Sequence, residues 1–353
     1  MDFKEYWTKR NEQLFLSGEK SALQFLEELQ AEYDKALRKI ELQLNALYGK
    51  YQKETGLDMQ TIKQRLTKSE LKDVHAEIKE YLKEAKDRKL DITFRNKLKL
   101  SSIKPSMTRL EELKLKIQFE IESLSKIVED GTHDILAKTY ETGYMKTIFN
   151  VDKLFGFSSS WASLNLKAIE KAISTTYMAE NYSKVIWRNK ENLLNVLNQQ
   201  IPQGIILGYN PKKVAKLSEK KLKTNYNATV RLVRTEYNLI LNDSVAAGYE
   251  ACGIDKYELL ATLDDRTSEI CQEMDGKVFE LDKREVGINY PPFHPNCRTT
   301  TIAYFDEDEF DVIGERIARD ETGTNYYVPA NITYKQWREG LHINDDGIAR
   351  YQN

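Results

Sequence analysis

The sequence predicts a mainly α-helical chain that ends in a small α+β region. Two observations carry this. Through most of the first 250 positions apolar residues recur at steps of three and four, the spacing of one helix face. After Gly253 the period shortens towards two, with Thr, Val, Ile, Tyr and Phe alternating between turn residues, as short strands require. The expected architecture is a long N-terminal helical bundle or pair of coiled-coil arms, then helices plus a short antiparallel sheet. At 353 residues there is room for two or three domains.

Taken in order, Leu26, Leu29, Tyr33, Ala36, Ile40, Leu44, Leu47 and Tyr51 form the first stripe. Gly56 breaks it, and Asp58 is placed to cap the next helix. Thr67 with Glu70, and Thr108 with Glu111, have the capping-box spacing, in which each side chain satisfies the other's backbone N–H. Leu71, Val74, Ile78, Tyr81 and Leu82 follow the first box. Leu110, Leu113, Ile117, Ile121, Leu124 and Val128 follow the second, with Gly131 as a natural stop. Around 155–161 the chain turns aromatic and loses charge, which places a domain boundary there. Helices resume over 166–198, and Ile201-Pro202-Gln203-Gly204 interrupts them. Asn210-Pro211 then supplies a cap and a proline at the first helical position. A long helix is expected over about 227–253, with Val233, Tyr237, Ile240 and Val245 on one side and Arg231, Arg234, Asn238 and Asn242 as a polar strip. Strands are expected at 257–263, 277–281 and 298–304, and Asp275-Gly276 is the turn before the second. The resulting division is a helical domain at 1–150, a basic helical segment at 151–253, a small sheet at 254–305 and an acidic extension at 306–353.

Apolar residues at 41% suffice for a core, and charged residues reach 31%. The start has no basic cluster before an apolar run, so no secretory signal is expected. No stretch is apolar enough to cross a bilayer, so no membrane partner is expected. Three cysteines are too few for a disulfide framework and fit a reducing compartment. The net charge of −2 hides a partition: about +2 over 1–150, +8 over 151–240 and −12 over 241–353. Between Lys184 and Arg234 there are eleven Lys/Arg and two acidic residues. Lys184, Arg188, Lys190, Lys212, Lys213, Lys216, Lys220, Lys221, Lys223 and Arg231 are therefore candidates for duplex DNA contact without sequence readout. A solvated basic face is the plainer alternative. The acidic, aromatic run at 305–311 suits docking on a basic protein surface, with a solvated loop as its alternative.

The densest chemistry lies at 264–300. Cys271, His294 and Cys297 offer two thiolates and an imidazole, three quarters of a tetrahedral zinc site. No fourth Cys or His accompanies them, so an Asp or water would have to serve. The alternatives are two small buried thiols with a hydrogen-bonded histidine, or a Cys–His nucleophile pair. The last lacks a Gly-rich elbow and an orienting third residue. Asp264-Asp265 reads as a partner for Arg266 and Arg298 before it reads as a metal or catalytic pair.

The order Leu232-Val233-Arg234-Thr235-Glu236, then Leu263-Asp264-Asp265-Arg266-Thr267-Ser268-x2-Cys271-x3-Asp275-Gly276-Lys277-x-Phe279, then Pro291-Pro292-x-His294-Pro295-Asn296-Cys297-Arg298-x-Thr300-Thr301, resembles the phage head morphogenesis family. These are the Mu F-like minor head (minor capsid) proteins of tailed phages. The likeness covers about residues 180–305; Tyr6-Trp7, Arg10-Asn11 and Tyr334-x2-Trp337 fit the same group. It implies a virion structural protein for head morphogenesis, inside the head near the portal and in the host cytoplasm during assembly. The partners implied are the portal protein, the scaffold and major capsid proteins, and packaged DNA, whose packaging or ejection it would aid. Arg234, Glu236, Asp264, Asp265, Arg266, Asp275, Gly276, His294, Cys297 and Arg298 become the structural motif. Some members carry Cys where this chain has Ser268 and Thr299, which leaves hydrogen bonding as a metal-free way to hold the loop. Certain relatives carry an extra C-terminal toxin or enzyme domain. With about fifty residues after the motif, no enzyme is expected here. The competing reading is a metal- or thiol-dependent hydrolase, nuclease or protease, of head maturation.

Overall fold

The computed structural model describes residues 3–51, 57, 59–155, 166–174, 180–305, 315–320, 322, 324–329, 332–343 and 349–351. The elements run α1 (Phe3–Tyr51), α2 (Met59–Lys63), α3 (Lys68–Asp87), α4 (Ile92–Ser101), α5 (Arg109–Phe155), α6 (Leu166–Ile173), α7 (Tyr182–Ile206), α8 (Pro211–Ala251), β1 (Lys256–Leu260), α9 (Glu269–Met274), β2 (Val278–Glu280), β3 (Thr300–Ala303), β4 (Glu315–Arg319), β5 (Asn325–Pro329), α10 (Tyr334–Glu339), β6 (Leu341–Ile343) and β7 (Ala349–Tyr351). The mainly helical class with a small C-terminal α+β region is what the sequence predicts. Two compact units result, each discontinuous in sequence: one holds 1–24, 133–181 and 231–353, the other 25–132 and 182–230.

The all-helical unit is built on the predicted stripes and caps. Thr67 Oγ1 accepts from Glu70 N, and Glu70 Oε2 accepts from Thr67 N at 2.8 Å. Thr108 and Glu111 close the same box at the head of α5. The α3–α4 hairpin buries Val74, Ile78, Phe94 and Leu98 with Leu115 and Phe119 of α5, and Tyr81 stacks on Phe119 at 4.3 Å. The stripe positions of α1, Leu26, Leu29, Tyr33, Ala36, Ile40, Leu44 and Leu47, are buried. Tyr33 OH donates to Asn225 Oδ1 and Tyr226 OH to the Leu26 carbonyl, tying α1 to α8.

Three expectations about helix ends are corrected. Gly131 does not stop α5, which continues to Phe155. A Cβ there would sit 2.4 Å from the Phe25 ring, so the glycine makes room for a neighbour and does not terminate anything. Pro202 does not interrupt α7, which carries it to Ile206. Interior proline costs about 3 kcal/mol, and the buried side chains of Ile201 and Ile205 return about 1.5–3 kcal/mol each. α8 begins at Pro211 rather than near 227; Asn210 Oδ1 accepts from Lys213 N at 2.9 Å, the expected cap. Gly56, Asp58, the aromatic patch after Phe155 and the acidic run after Phe305 lie outside the described residues.

The sheet-bearing unit centres on the antiparallel order β2-β1-β3, with Tyr257 opposite Phe279 on one side and Ala303 on the other. Helices cover it. Tyr6, Trp7, Leu14 and Phe15 of α1 share one core with Tyr237, Leu241, Val245 and Tyr249 of α8 and with Tyr257, Leu259, Tyr290 and Ile302. α5 and α8 touch closely there, since a Cβ on Gly248 would meet Thr147 at 2.7 Å. A second small core gathers Leu263, Ala318, Val328, Ile332, Tyr334 and Trp337. The Tyr334-x2-Trp337 pair is thus buried, and Trp337 Nε1 donates to Tyr326 OH at 2.7 Å.

Candidate functional site

Three loops of the sheet-bearing unit meet beside β1 and β3. Asp264, 3% exposed, is the hub of the first. Its Oδ1 accepts from Arg266 N at 3.0 Å and Thr267 Oγ1 at 3.1 Å. Arg298, just before β3, grips both carboxylate oxygens with its guanidinium fork, Nη2 to Oδ1 at 2.6 Å. Burial pushes the Asp264 carboxyl up, but the Arg298 bonds outweigh it and hold the acid below its ordinary range. Arg266 reaches the same carboxylate more loosely, at 3.6 Å. Asp265 instead pairs with Arg338 of α10.

Asp275 is the second hub. Its Oδ1 accepts from Ala261 N at 2.8 Å and its Oδ2 from Tyr334 N at 2.7 Å. The next residue, Gly276, has φ +78°, where a side chain would be strained. Its N–H donates to the Leu259 carbonyl at 2.8 Å. The two carboxylates therefore do backbone work at the sheet end, and α10 is fixed through them: Tyr334 OH also donates to the Asp264 carbonyl.

The third feature is the sulfur–imidazole cluster. Cys271 comes from α9; His294 and Cys297 come from the proline-rich loop. Cys271 Sγ lies 3.2 Å from His294 Nε2 and 3.7 Å from Cys297 Sγ. Ser268 Oγ lies 2.8 Å from the same Nε2, and His294 Nδ1 lies 2.9 Å from the Pro295 carbonyl. Both thiols are 2% exposed. They perturb each other: the bond with Cys271, joined by His294, lowers the Cys297 thiol, while Cys297 and burial raise Cys271. The loop is anchored to α8, where Thr235 Oγ1 accepts from Asn296 N at 2.9 Å. Asn238 and Asn242 both donate to the Thr299 carbonyl.

These loops fall within a stretch whose sequence resembles a known family. Residues 195–302 match the model of the family described as phage Mu protein F like protein. Residues 195–302 are a Mu F-like region. Among curated relatives, an NAD(+)–arginine ADP-ribosyltransferase, EFV, of Enterococcus faecalis is 25% identical over 218 residues, 56% of this chain and 45% of that protein. The minor head protein GP7 of Bacillus phage SPP1 is 21% identical over 285 residues, 77% of this chain and 89% of that protein. An uncharacterised Haemophilus influenzae protein is 26% identical over 120 residues, 34% of this chain and 27% of its own length. No solved structure matches.

The Mu F-like region thus takes in the end of α7, all of α8, β1, β2, all but the last residue of β3, and both motif loops. Of the motif residues, Asp264, Asp275, Gly276, His294, Cys297 and Arg298 converge there. Glu236 is buried in α8, and burial lifts its carboxyl to about 7. Arg234 faces solvent.

The basic candidates divide. Lys212, Lys216, Lys220 and Lys223 line one exposed face of α8 in the all-helical unit, with Lys213 exposed beside them over the Tyr209 ring at 3.5 Å. Lys184 and Arg188 are exposed on α7, Lys221 is half-buried, and Arg231 is exposed on α8. Lys190 is not available to DNA. It is 5% exposed, and its Nζ sits 2.9 Å from Glu122 Oε2 and 3.1 Å from Glu191. A buried ammonium needs such partners, and they outweigh any surface role.

Sequence reasoning missed the part α1 plays. Asn11 Nδ2 donates to Tyr249 OH and to the Thr301 carbonyl of β3. Glu12 accepts the Ile317 N–H at 3.0 Å with both oxygens, and Lys4 pairs with Glu258 of β1 at 2.6 Å. Nothing local marks these residues, apart from the Tyr6-Trp7 and Arg10-Asn11 likeness. Among the described residues no helix is long and apolar enough to cross a membrane.

Proposed function

We propose that this chain is a minor structural protein of a tailed-phage head, acting in head morphogenesis at the portal and touching packaged DNA. The observation that carries the reading is the match to the SPP1 minor head protein across 89% of that protein's length, beside the match of residues 195–302 to the Mu F-like family model. The site's construction agrees. Asp264, Asp275 and Arg298 direct their hydrogen bonds to the scaffold, and both motif thiols are buried, so the region is built to hold a shape. The chain spans 45% of the ADP-ribosyltransferase it resembles, so the activity in that name is tied to a protein with much else in it. A hydrolase using either thiol would need an accessible nucleophile, and both are buried.

DNA contact is assigned to the lysine face of α8. Each phosphate neutralised releases counterions and gives a salt slope of about 0.9 per contact. Full-length protein titrated with random duplex DNA at two salt concentrations should bind with a slope that falls by about 3–4 when Lys212, Lys216, Lys220 and Lys223 are all changed to Gln. An unchanged slope would remove DNA contact from this face.

Co-expression with portal, scaffold and major capsid proteins tests the assembly role. The chain should enter capsid-like particles, at a few copies, only when the portal is present. Its exclusion from all particles would end the head reading. Equal entry without portal would end the portal assignment.

A further inference from the structure

We propose that Cys271, His294 and Cys297 hold one zinc ion through two sulfurs and the imidazole Nε2, with an oxygen on the Ser268 side at the fourth position. The three donor atoms lie within 4.8 Å of one another. Two thiolates on one tetrahedral zinc, each at about 2.3 Å, are about 3.8 Å apart. Here Cys271 and Cys297 Sγ are 3.7 Å apart. An imidazole nitrogen and a sulfur on the same ion would be separated by about 3.6 Å. His294 Nε2 is 3.2 Å from Cys271 Sγ, a few tenths of an ångström inside that separation.

The surroundings point the same way. His294 Nδ1 lies 2.9 Å from the Pro295 carbonyl. A carbonyl can only accept, so Nδ1 carries the proton and Nε2 turns its lone pair towards the sulfurs. This is the outer-shell contact that orients metal-binding histidines. Ser268 stands at the N-cap of α9, where a serine oxygen ordinarily accepts from the helix backbone. It makes no such bond; the hydroxyl goes to His294 Nε2 instead, the edge where a fourth ligand belongs. Thr299 Oγ1 is buried with no hydrogen-bond partner, and Cys271 is the acceptor beside it. A metal-bound thiolate would accept from that hydroxyl far better than a neutral thiol does. Two soft sulfurs and one imidazole select zinc over magnesium or calcium. The ion would pin six-residue α9 to the loop that feeds β3, a cross-link inside the Mu F-like region that does not depend on the head role.

The test uses full-length protein purified without chelator, then incubated with zinc and dialysed. Metal analysis should give about one zinc per chain, and X-ray absorption at the zinc edge should show two sulfurs and one imidazole. Cys271→Ser and Cys297→Ser should each lose the metal. Ser268→Cys, which supplies a third sulfur without removing a ligand, should slow zinc transfer to a chelator by about tenfold or more; Ser268→Ala should speed it by a similar factor. Wild-type protein without stoichiometric zinc, zinc retained in Cys297→Ser, or a Cys271–Cys297 disulfide in freshly isolated protein would each overturn the proposal. Ser268→Cys folds on an intact ligand set, so unchanged transfer in that variant would count against it even where the cysteine variants are insoluble.

Discussion

Trp7→Ala should loosen the central sheet more than any other single change in α1. Trp7 is 0% exposed, edge-on to Tyr249 at 5.7 Å and to Tyr6 at the same distance. Removing a buried Trp costs about 3–5 kcal/mol in transfer and cavity terms. One feature lowers that figure. Trp7 Nε1 is buried without a hydrogen-bond partner, so the variant also discards an unsatisfied donor worth about 1–3 kcal/mol. The net expectation is about 2–3 kcal/mol, or roughly a hundredfold in the opening equilibrium at 1.4 kcal/mol per decade. Amide hydrogen exchange reads this locally. Exchange at β1 and β3 should accelerate by that factor, while α3 and α4, which belong to the other unit, serve as the internal reference. Trp7→Phe keeps an aromatic ring against Tyr249, discards the orphan N–H and leaves a smaller void than alanine does, so it should cost clearly less than Trp7→Ala. Unaltered exchange at β3 in Trp7→Ala, or equal acceleration in α3 and α4, would refute the reasoning.

The charged groups give further outcomes. Arg298→Leu strips buried Asp264 of its bidentate partner, leaving only the looser Arg266 contact at 3.6 Å, and should cost about 3 kcal/mol at pH 7. Because the pair holds the folded Asp264 pKa below 3.8, its contribution is present above that value and is lost as pH falls through the folded pKa. The difference in urea midpoint between wild type and variant should therefore shrink at pH 3; an equal gap at both pH values would sink the idea. Glu236 has the opposite sign. With its folded pKa raised to about 7 from 4.5, its contribution is present below pH 4.5 and lost as pH rises through 7. Glu236→Gln should stabilise the protein at pH 8 by a few kcal/mol at most and change little at pH 4.5, checked by urea titration at both. Lys190→Met should cost about 3–5 kcal/mol by stranding Glu122, and leave DNA affinity unchanged at fixed salt. Loss of DNA binding in a folded Lys190→Met protein would return that lysine to the basic face.

What the sequence made legible was local. The capping boxes at Thr67 and Thr108 need partners three residues away, so their chemistry shows in the residue order itself. The stripe from Leu26 to Leu47 reports a helix face for the same reason. The sulfur–imidazole cluster was legible because His294 and Cys297 are neighbours and Cys271 lies one turn of chain before the hairpin. Gly131 was misread because a glycine can end a helix or admit a ring, and the ring belongs to Phe25, far upstream. Lys190 was misread because a count of charges cannot see Glu122, 68 residues away. Asn238 and Asn242 were seen as a polar strip, but what they bind, the Thr299 carbonyl, depends on how the last loop returns.

The contacts of α1 with the sheet also set a clock. Asn11 waits for Thr301, 290 residues later, and Glu12 for Ile317, 305 residues later. At about 5–20 residues per second, a ribosome takes roughly 15–60 s to bring Ile317 out after Glu12. The all-helical unit draws no residue from beyond 230 and has its full sequence sooner. The unit bearing the Mu F-like strands is thus the last to close. Until it does, Tyr6, Trp7, Leu14 and Phe15 lack the strand half of the core they share with α8.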